Sequence, residues 1–317
     1  MNHVHATVNG RQSTSAALKG HYSEITNRIV QAIESGATMA DMPWHQVGNP
    51  IPSNVESGKQ YRGINILSLW ASSLKQGFSS GIWGTYKQWA DLGCQVRKGE
   101  RASPVVFWDS YTDDQSDSET TVQRTFCKRF SVFNSLQVEG YDPAPALELN
   151  QNHQIVAAEA FFLNIGADLR VGGDVAGYSK SGDFIRVPEL KQFKRSEGYY
   201  STIAHEHIHW SGHESRLSRD LSGRFGDASY AMEELIAELG AAFLCSDIGV
   251  TTSPRDDHAG YISSWLRVLK NDHRAIFYAA SAAQKAVDYL KSVCEEDPVL
   301  VGSALVMATK KVFDISE

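Results

Sequence analysis

The sequence lacks any closely spaced pair of cysteines. Cys94, Cys127, Cys245 and Cys294 are scattered, with no CxxC unit, so they read as free thiols in a reducing compartment and not as a disulfide frame or a zinc knuckle. No apolar run is long enough to span a bilayer, and the polar stretch from Met1 to Lys19 has the character of neither a secretory leader nor an anchor. The expectation is a cytoplasmic protein with no membrane partner and with residues 1–20 disordered. A basic excess is missing as well: the formal net charge is −7, which taken alone argues against nucleic acid. The distribution of charge changes that reading. Residues 1–145 hold 13 basic and 13 acidic side chains, leaving 17 against 24 for the remainder. Such asymmetry points to two domains with different partners, and 317 residues suffice for two cores. Asp142-Pro143-Ala144-Pro145-Ala146 is the natural break. It separates a domain at 21–142 from one at 151–317, with 143–150 as the link.

What the second half does contain is His205-Glu206-His207-Ile208-His209. Folded as a helix, it puts His205 and His209 one turn apart on a single face, where two imidazoles bind one divalent ion through ring nitrogens. Glu206, about 100° round the axis, is placed to act as general base on an attacking water. This is the HExxH arrangement of zinc peptidases. A five-residue pattern also arises by chance, so a third ligand has to be found. His207 falls on the opposite side, near Ile203 and Trp210, and reads as a hydrogen-bonded packing histidine. Position 215 is Ser215, which removes the metzincin pattern. Gly212 suits a helix end, and His213 beyond it reads as a capping or supporting group before it reads as a ligand.

The run Ser229 to Asp247 is apolar nearly all round and therefore a buried helix. Glu234 and Glu238 stand one turn apart on a stripe shared with Ala237, Ala241 and Cys245, and a buried carboxylate needs a cation or donors. Glu234 is preferred as the ligand, because the pair resembles the ExxxD/E pair of gluzincins, whose first carboxylate takes the metal and whose second supports a histidine. Glu238 is the alternative. Glu233 is expected to point elsewhere, to solvent or a neighbouring salt bridge. His258 and Tyr261 are candidates to stabilise an oxyanion, or equally a helix-start histidine and a core tyrosine. The strand hairpin from Tyr178 to Pro188 offers an edge for an extended peptide. One divalent ion is the expected cofactor: zinc first, with manganese or cobalt also accepted by two histidines and a glutamate.

The first half shows no catalytic cluster. Periodicity gives helices over 22–34 and 66–75 and a short one from Thr85, with strands at 104–108 and 126–133 flanking an acidic hairpin loop, Asp109 to Thr120. Between 58 and 108, basic and aromatic residues interleave, the pattern that grips single-stranded nucleic acid by stacking and phosphate contact. The DNA-binding candidates are Lys59, Tyr61, Arg62, Trp83, Tyr86, Lys87, Arg97, Lys98 and Arg101. The competing reading is that most of these rings are core, as Trp70 is taken to be.

Several motifs in order resemble the N-terminal domain of the ArdC antirestriction family, which also occurs in TraC-type plasmid primases. They are Tyr61-Arg62-Gly63-Ile64-Asn65, Thr85-Tyr86-Lys87-Gln88, Val96 to Glu100 with Pro104-Val105-Val106, and Phe130 to Asn134. His205 to His213, Glu233 to Ala241, and Ser263-Ser264-Trp265-Leu266 are similar to the zincin-type metallopeptidase domain of the same family. His207, where the family often has an aliphatic residue, and the acidic loop depart from it. The resemblance implies an α+β protein of two domains: a small α+β single-stranded DNA-binding domain and a mainly helical, gluzincin-like metallopeptidase domain. The function it implies is protection of incoming plasmid or phage DNA from host restriction. Its partners would be single-stranded DNA and a protein substrate, such as a host restriction component. The alternative is a protein that coats single strands or occludes a restriction enzyme, with a structural metal.

Overall fold

A computed structural model describes residues 20, 22–34, 44, 50–113, 122–142, 151–223, 227–250 and 262–295. Apart from Gly20, the terminus expected to be disordered lies outside these residues, as does the link 143–150. The N-terminal domain runs α1 (22–34), β1 (Ser53–Asn54), α2 (Ile64–Gln76), β2 (Ile82–Thr85), α3 (Tyr86–Asp91), β3 (Gln95–Val96), β4 (Ser103–Asp113), β5 (Val122–Asn134) and β6 (Val138–Glu139). The C-terminal domain follows with α4 (Gln151–Asn164), β7 (Asp168–Val171), β8 (Gly177–Ser179), β9 (Phe184–Val187), α5 (Ser196–Ser211), α6 (Ala228–Asp247), α7 (Ile262–Asn271) and α8 (Ala275–Glu295). The mixture is α+β. Strands β4 and β5 extend through Asp113 and from Val122, so the flanks of the acidic stretch are strand and not loop. β7 was not anticipated.

Helix α2 is apolar or small on every side, and everything from Ile64 to Ser73 is buried. Its Leu69 packs with Tyr61, Trp83, Val105 and Val132 on one face of the sheet β1-β2-β5-β4. Its Trp70 meets Phe243 of α6 at 5.8 Å. Two α2 side chains also cover the free edge of β4. The Asn65 amide donates to the Val106 carbonyl (2.7 Å) and accepts from the Val106 N–H (2.8 Å), while Ser68 donates to the Pro104 carbonyl at 2.8 Å. The amide does what another strand would do.

One buried cluster spans the two domains, beside two smaller clusters that belong to the N-terminal domain. Ile25, Ile29 and Ile33 of α1 and Ile66, Leu67 and Trp70 of α2 belong to the same buried cluster as α5, α6 and α8. Helix α1 packs on the partner domain, where Thr26 donates to the His273 carbonyl at 2.6 Å. Gly63, in the left-handed region at φ 54°, leads α2 in and donates its N–H to Gln284 of α8 at 3.1 Å. Among the described residues no helix is long and apolar enough to cross a membrane.

Removing the Asn65 amide strands two buried backbone groups of β4. Asn65→Ala should lower stability by about 1–3 kcal/mol or more in urea unfolding. A loss below about 0.5 kcal/mol would mean that water substitutes for the side chain.

Candidate metal centre

Helices α5 and α6 cross closely because Gly240 leaves room: a Cβ there would lie 2.8 Å from the Ile208 side chain. That approach brings three ligand types together. The Nε2 atoms of His205 and His209 are 3.1 Å apart, and the Glu234 carboxylate stands 3.6 Å from the first and 3.5 Å from the second. One donor atom from each of the three lies within 4.8 Å of the others. Glu238 faces the far nitrogen of His205, Nδ1, at 3.4 Å. The Nδ1 of His209 donates to Glu233 at 3.2 Å. Each Nδ1 therefore has a carboxylate beside it, hydrogen-bonded for His209 and within ion-pair distance for His205, and the two Nε2 atoms face one another.

Two lone pairs and an anion facing one point repel unless a cation stands there, so this donor set fits a divalent ion. Without an ion, a proton on the imidazole answers the same demand for positive charge. Burial pulls the His209 imidazole down, but Glu233 and Glu234 outweigh it and raise its pKa to about 10. Burial pushes Glu234 up, but its contacts with His205 and His209 hold it far below the usual carboxylate range. Glu238 takes the supporting place and Glu234 the converging one.

Glu233 makes a neighbouring salt bridge, one of its two expected places, and does not reach solvent. It is buried, and Arg219 grips both its oxygens at 3.0 and 2.8 Å. The same guanidinium donates to the Ile208 carbonyl at 2.5 Å and to Ser211 Oγ at 3.0 Å. Gly212 ends α5 in an ordinary right-handed conformation, φ −79°. It is glycine for space and not for backbone freedom, since a Cβ would lie 2.7 Å from the Arg219 guanidinium. His213 turns away to Ser215 at 2.8 Å. His207 is fully enclosed. Its Nδ1 donates to the Ile203 carbonyl at 2.8 Å, its ring packs on Phe162, and burial pushes its pKa down to about 4. It is a neutral packing group.

The converging atoms open onto a cleft of about 370 Å³, also lined by Glu206, Gly177, Tyr178 and Tyr230. β8 is the outer strand of the sheet β7-β9-β8, so its edge borders the cleft. Arg216 fixes that edge to the end of α5: it pairs with Asp183, donates to Tyr178 (3.2 Å) and the Trp210 carbonyl (2.6 Å), and lies over the Trp210 ring. His258 and Tyr261, the oxyanion candidates, lie outside the described residues. Tyr178 and Tyr230 are the cleft tyrosines among the described ones, and sequence reasoning singled out neither.

Residues 19–133 match the N-terminal domain of anti-restriction factor ArdC, and residues 156–282 match a zincin-like metallopeptidase family. The crystal structure of metal-free antirestriction ArdC protein from the R388 plasmid aligns with TM-score 0.73 and 37% identity, covering 87% of this chain and 98% of that one. The chain belongs to the ArdC antirestriction family. The Mn(II)-bound structure of the R388 ArdC aligns with TM-score 0.69 and 38% identity, covering 86% and 97%. Uncharacterized protein y4eC of Sinorhizobium fredii is 46% identical over 278 residues, 85% of this chain and 91% of its own length. DNA primase TraC of Escherichia coli is 35% identical over 292 residues, but the chain spans only 27% of it.

Within this ArdC fold the nine DNA-binding candidates do not form one surface. Trp83 and Tyr61 are buried in the core behind the sheet, so neither ring has a free face for a base. Arg62 pairs with Asp288 across the domain seam. Tyr86 is exposed, its hydroxyl accepting from Gln95 at 2.9 Å. Lys87 pairs with Asp91 at 2.5 Å, and Arg97 with Glu100 at 2.9 Å. Lys59, Lys98 and Arg101 are exposed.

If Glu233 and Arg219 hold His209 in aim, Glu233→Gln and Arg219→Ala should each weaken Zn(II) or Mn(II) affinity about 10–100-fold in a chelator competition. Unchanged affinity would show that α5 alone sets the imidazole.

Proposed function

We propose that this chain is an antirestriction protein that binds single-stranded DNA through its N-terminal domain and carries a divalent-metal peptidase centre in its C-terminal domain. The observation that carries the second half of this reading is the convergence of His205 Nε2, His209 Nε2 and Glu234 at the floor of an open cleft that Glu206 also lines. His205, His209 and Glu234 are the ligands in this reading, with Glu238 and Glu233 supporting the two imidazoles. A structural site would close its coordination with a fourth protein ligand. Here the described residues supply three, and the cleft supplies access. Zinc is the first choice of ion. The Mn(II)-bound R388 ArdC supports a divalent ion and leaves manganese open.

A bound ion of this kind supplies Lewis acidity, polarising a carbonyl and making a water acidic near neutral pH. The chain's own residues do the rest. Glu206 comes from the same turn of α5 as His205 and is almost entirely buried. It takes a proton from the attacking water and delivers it to the leaving amine. The outer edge of β8, unpaired among the described residues, accommodates an extended peptide by strand addition, holding a carbonyl over the floor of the cleft. The substrate class is therefore a protein segment able to lie extended, and a component of a host restriction system fits an antirestriction role.

For the N-terminal domain, the ArdC family match and the likeness to the DNA primase TraC support DNA binding. Glu206→Gln should retain metal content and single-stranded DNA affinity while losing peptide cleavage and any protection that depends on it. Cleavage retained by that variant would remove Glu206 from the mechanism. Full protection with no cleavage would make the metal centre structural or occluding.

A further inference from the structure

The β4–β5 ribbon carries a feature that the metal centre does not use. Val105 pairs with Phe130 and Phe107 with Lys128 across the ribbon, so these four side chains share one face. Near the middle of the sheet that face is core, where Val105 and Val132 pack with Tyr61 and Trp83. Farther out it is half exposed. Phe107 is 47% exposed and Phe130 40% exposed, with ring centroids 5.5 Å apart at 81°. Two large rings left in water on a sheet face make a stacking platform.

The platform leads somewhere. The Tyr61 ring lies 6.4 Å from Phe107, and Tyr61 also lines a cleft of about 320 Å³ between the domains, together with Lys59, Arg62 and Lys291. Two of those cations are already paired, Arg62 with Asp288 and Lys291 with Asp247. The two carboxylates have second donors: Gln60 reaches Asp247 at 3.0 Å and Gln284 reaches Asp288 at 3.1 Å. A polyanion can thus draw the cations away without leaving either carboxylate bare. Arg62, 61% exposed at its side chain, is free to swing.

We propose that single-stranded DNA stacks its bases on Phe107 and Phe130 and carries its backbone into the domain seam, where Lys59, Arg62 and Lys291 hold the phosphates. The proposal rests on reading the N-terminal domain as a binder of single strands. It moves the path away from the Tyr86 side of the sheet, where Tyr86 packs edge-on to Phe133 at 6.5 Å, and onto the face of Phe130. It also lays the strand against α6, since Phe243 and Asp247 line the seam cleft and Glu234 and Glu238 belong to the same helix.

The test is fluorescence anisotropy of a labelled oligo(dT) 20-mer with the full chain at two salt concentrations. Phe107→Ala/Phe130→Ala should weaken binding about tenfold or more, and Phe107→Tyr/Phe130→Trp should restore it. Lys59→Ala should lower the slope of log affinity against log salt by about 0.7. Tyr86→Ala/Lys87→Ala should leave both readings unchanged. Equal thermal melting of the exposed-ring variant and the parent excludes misfolding. A parent that binds while Phe107→Ala/Phe130→Ala binds equally well overturns the path and spares the reading of the domain. A parent with no salt-sensitive affinity overturns both. An Ala/Ala variant that changes oligomeric state and not DNA affinity assigns the face to a second copy of the chain instead.

Discussion

Three glutamates buried on one helix are the constraint from which the rest of the C-terminal domain follows. Glu233, Glu234 and Glu238 are at most 7% exposed, and a buried carboxylate survives only against a cation or a full set of donors. Two imidazoles on α5 and one guanidinium from the chain beyond it answer that demand. Each carboxylate takes a different partner: Glu238 the Nδ1 of His205, Glu233 the Nδ1 of His209 with Arg219, and Glu234 the two Nε2 atoms together. The arrangement ties α5 to α6 electrostatically where Gly240 ties them sterically. Burial pushes the Cys245 thiol up, to about 12, with the nearby Glu238 charge adding to it, so the thiol stays protonated.

How legible this was depends on how local each signal is. His205, His209, Glu234 and Glu238 were readable because helix periodicity alone sets their faces. For Glu233 a salt bridge was legible but its contact with His209 was not, because a helical wheel gives no hint that His209 turns its second nitrogen to the flank. Arg219 carries no pattern at all. Its place depends on the chain beyond α5 folding back, with Leu217 N–H donating to the Ser211 carbonyl at 3.1 Å and Arg219 N–H to the Gly212 carbonyl at 2.9 Å. β7 escaped because its exposure does not alternate.

In the N-terminal half the family motifs serve the fold more than the surface. Thr85 and Gln88 form a capping box on α3, and Asn134 and Gln137 do the same for the turn after β5. Gln137 also reaches Glu100 at 3.0 Å, and Asn65 seals β4. Buried aromatic rings such as Trp83 and Trp89 hold this small domain together. The surface rings lie on the ribbon, where alternation puts Phe107 and Phe130 on the face of Val105 and Val132 but could not say that the cover over that face stops short of them. Helices α1 and α2 share a buried cluster with α6 and α8, which holds the two halves together.

The central claim is that α5 and α6 build one three-ligand ion site with two separately supported imidazoles. Anomalous diffraction from crystals grown with Mn(II) tests it most directly. One peak bonded to His205 Nε2, His209 Nε2 and a Glu234 oxygen, with Glu238 and Glu233 still on the Nδ1 atoms, is the required result. An ion held by Glu238 in place of Glu234, or no anomalous peak at this site, would contradict it.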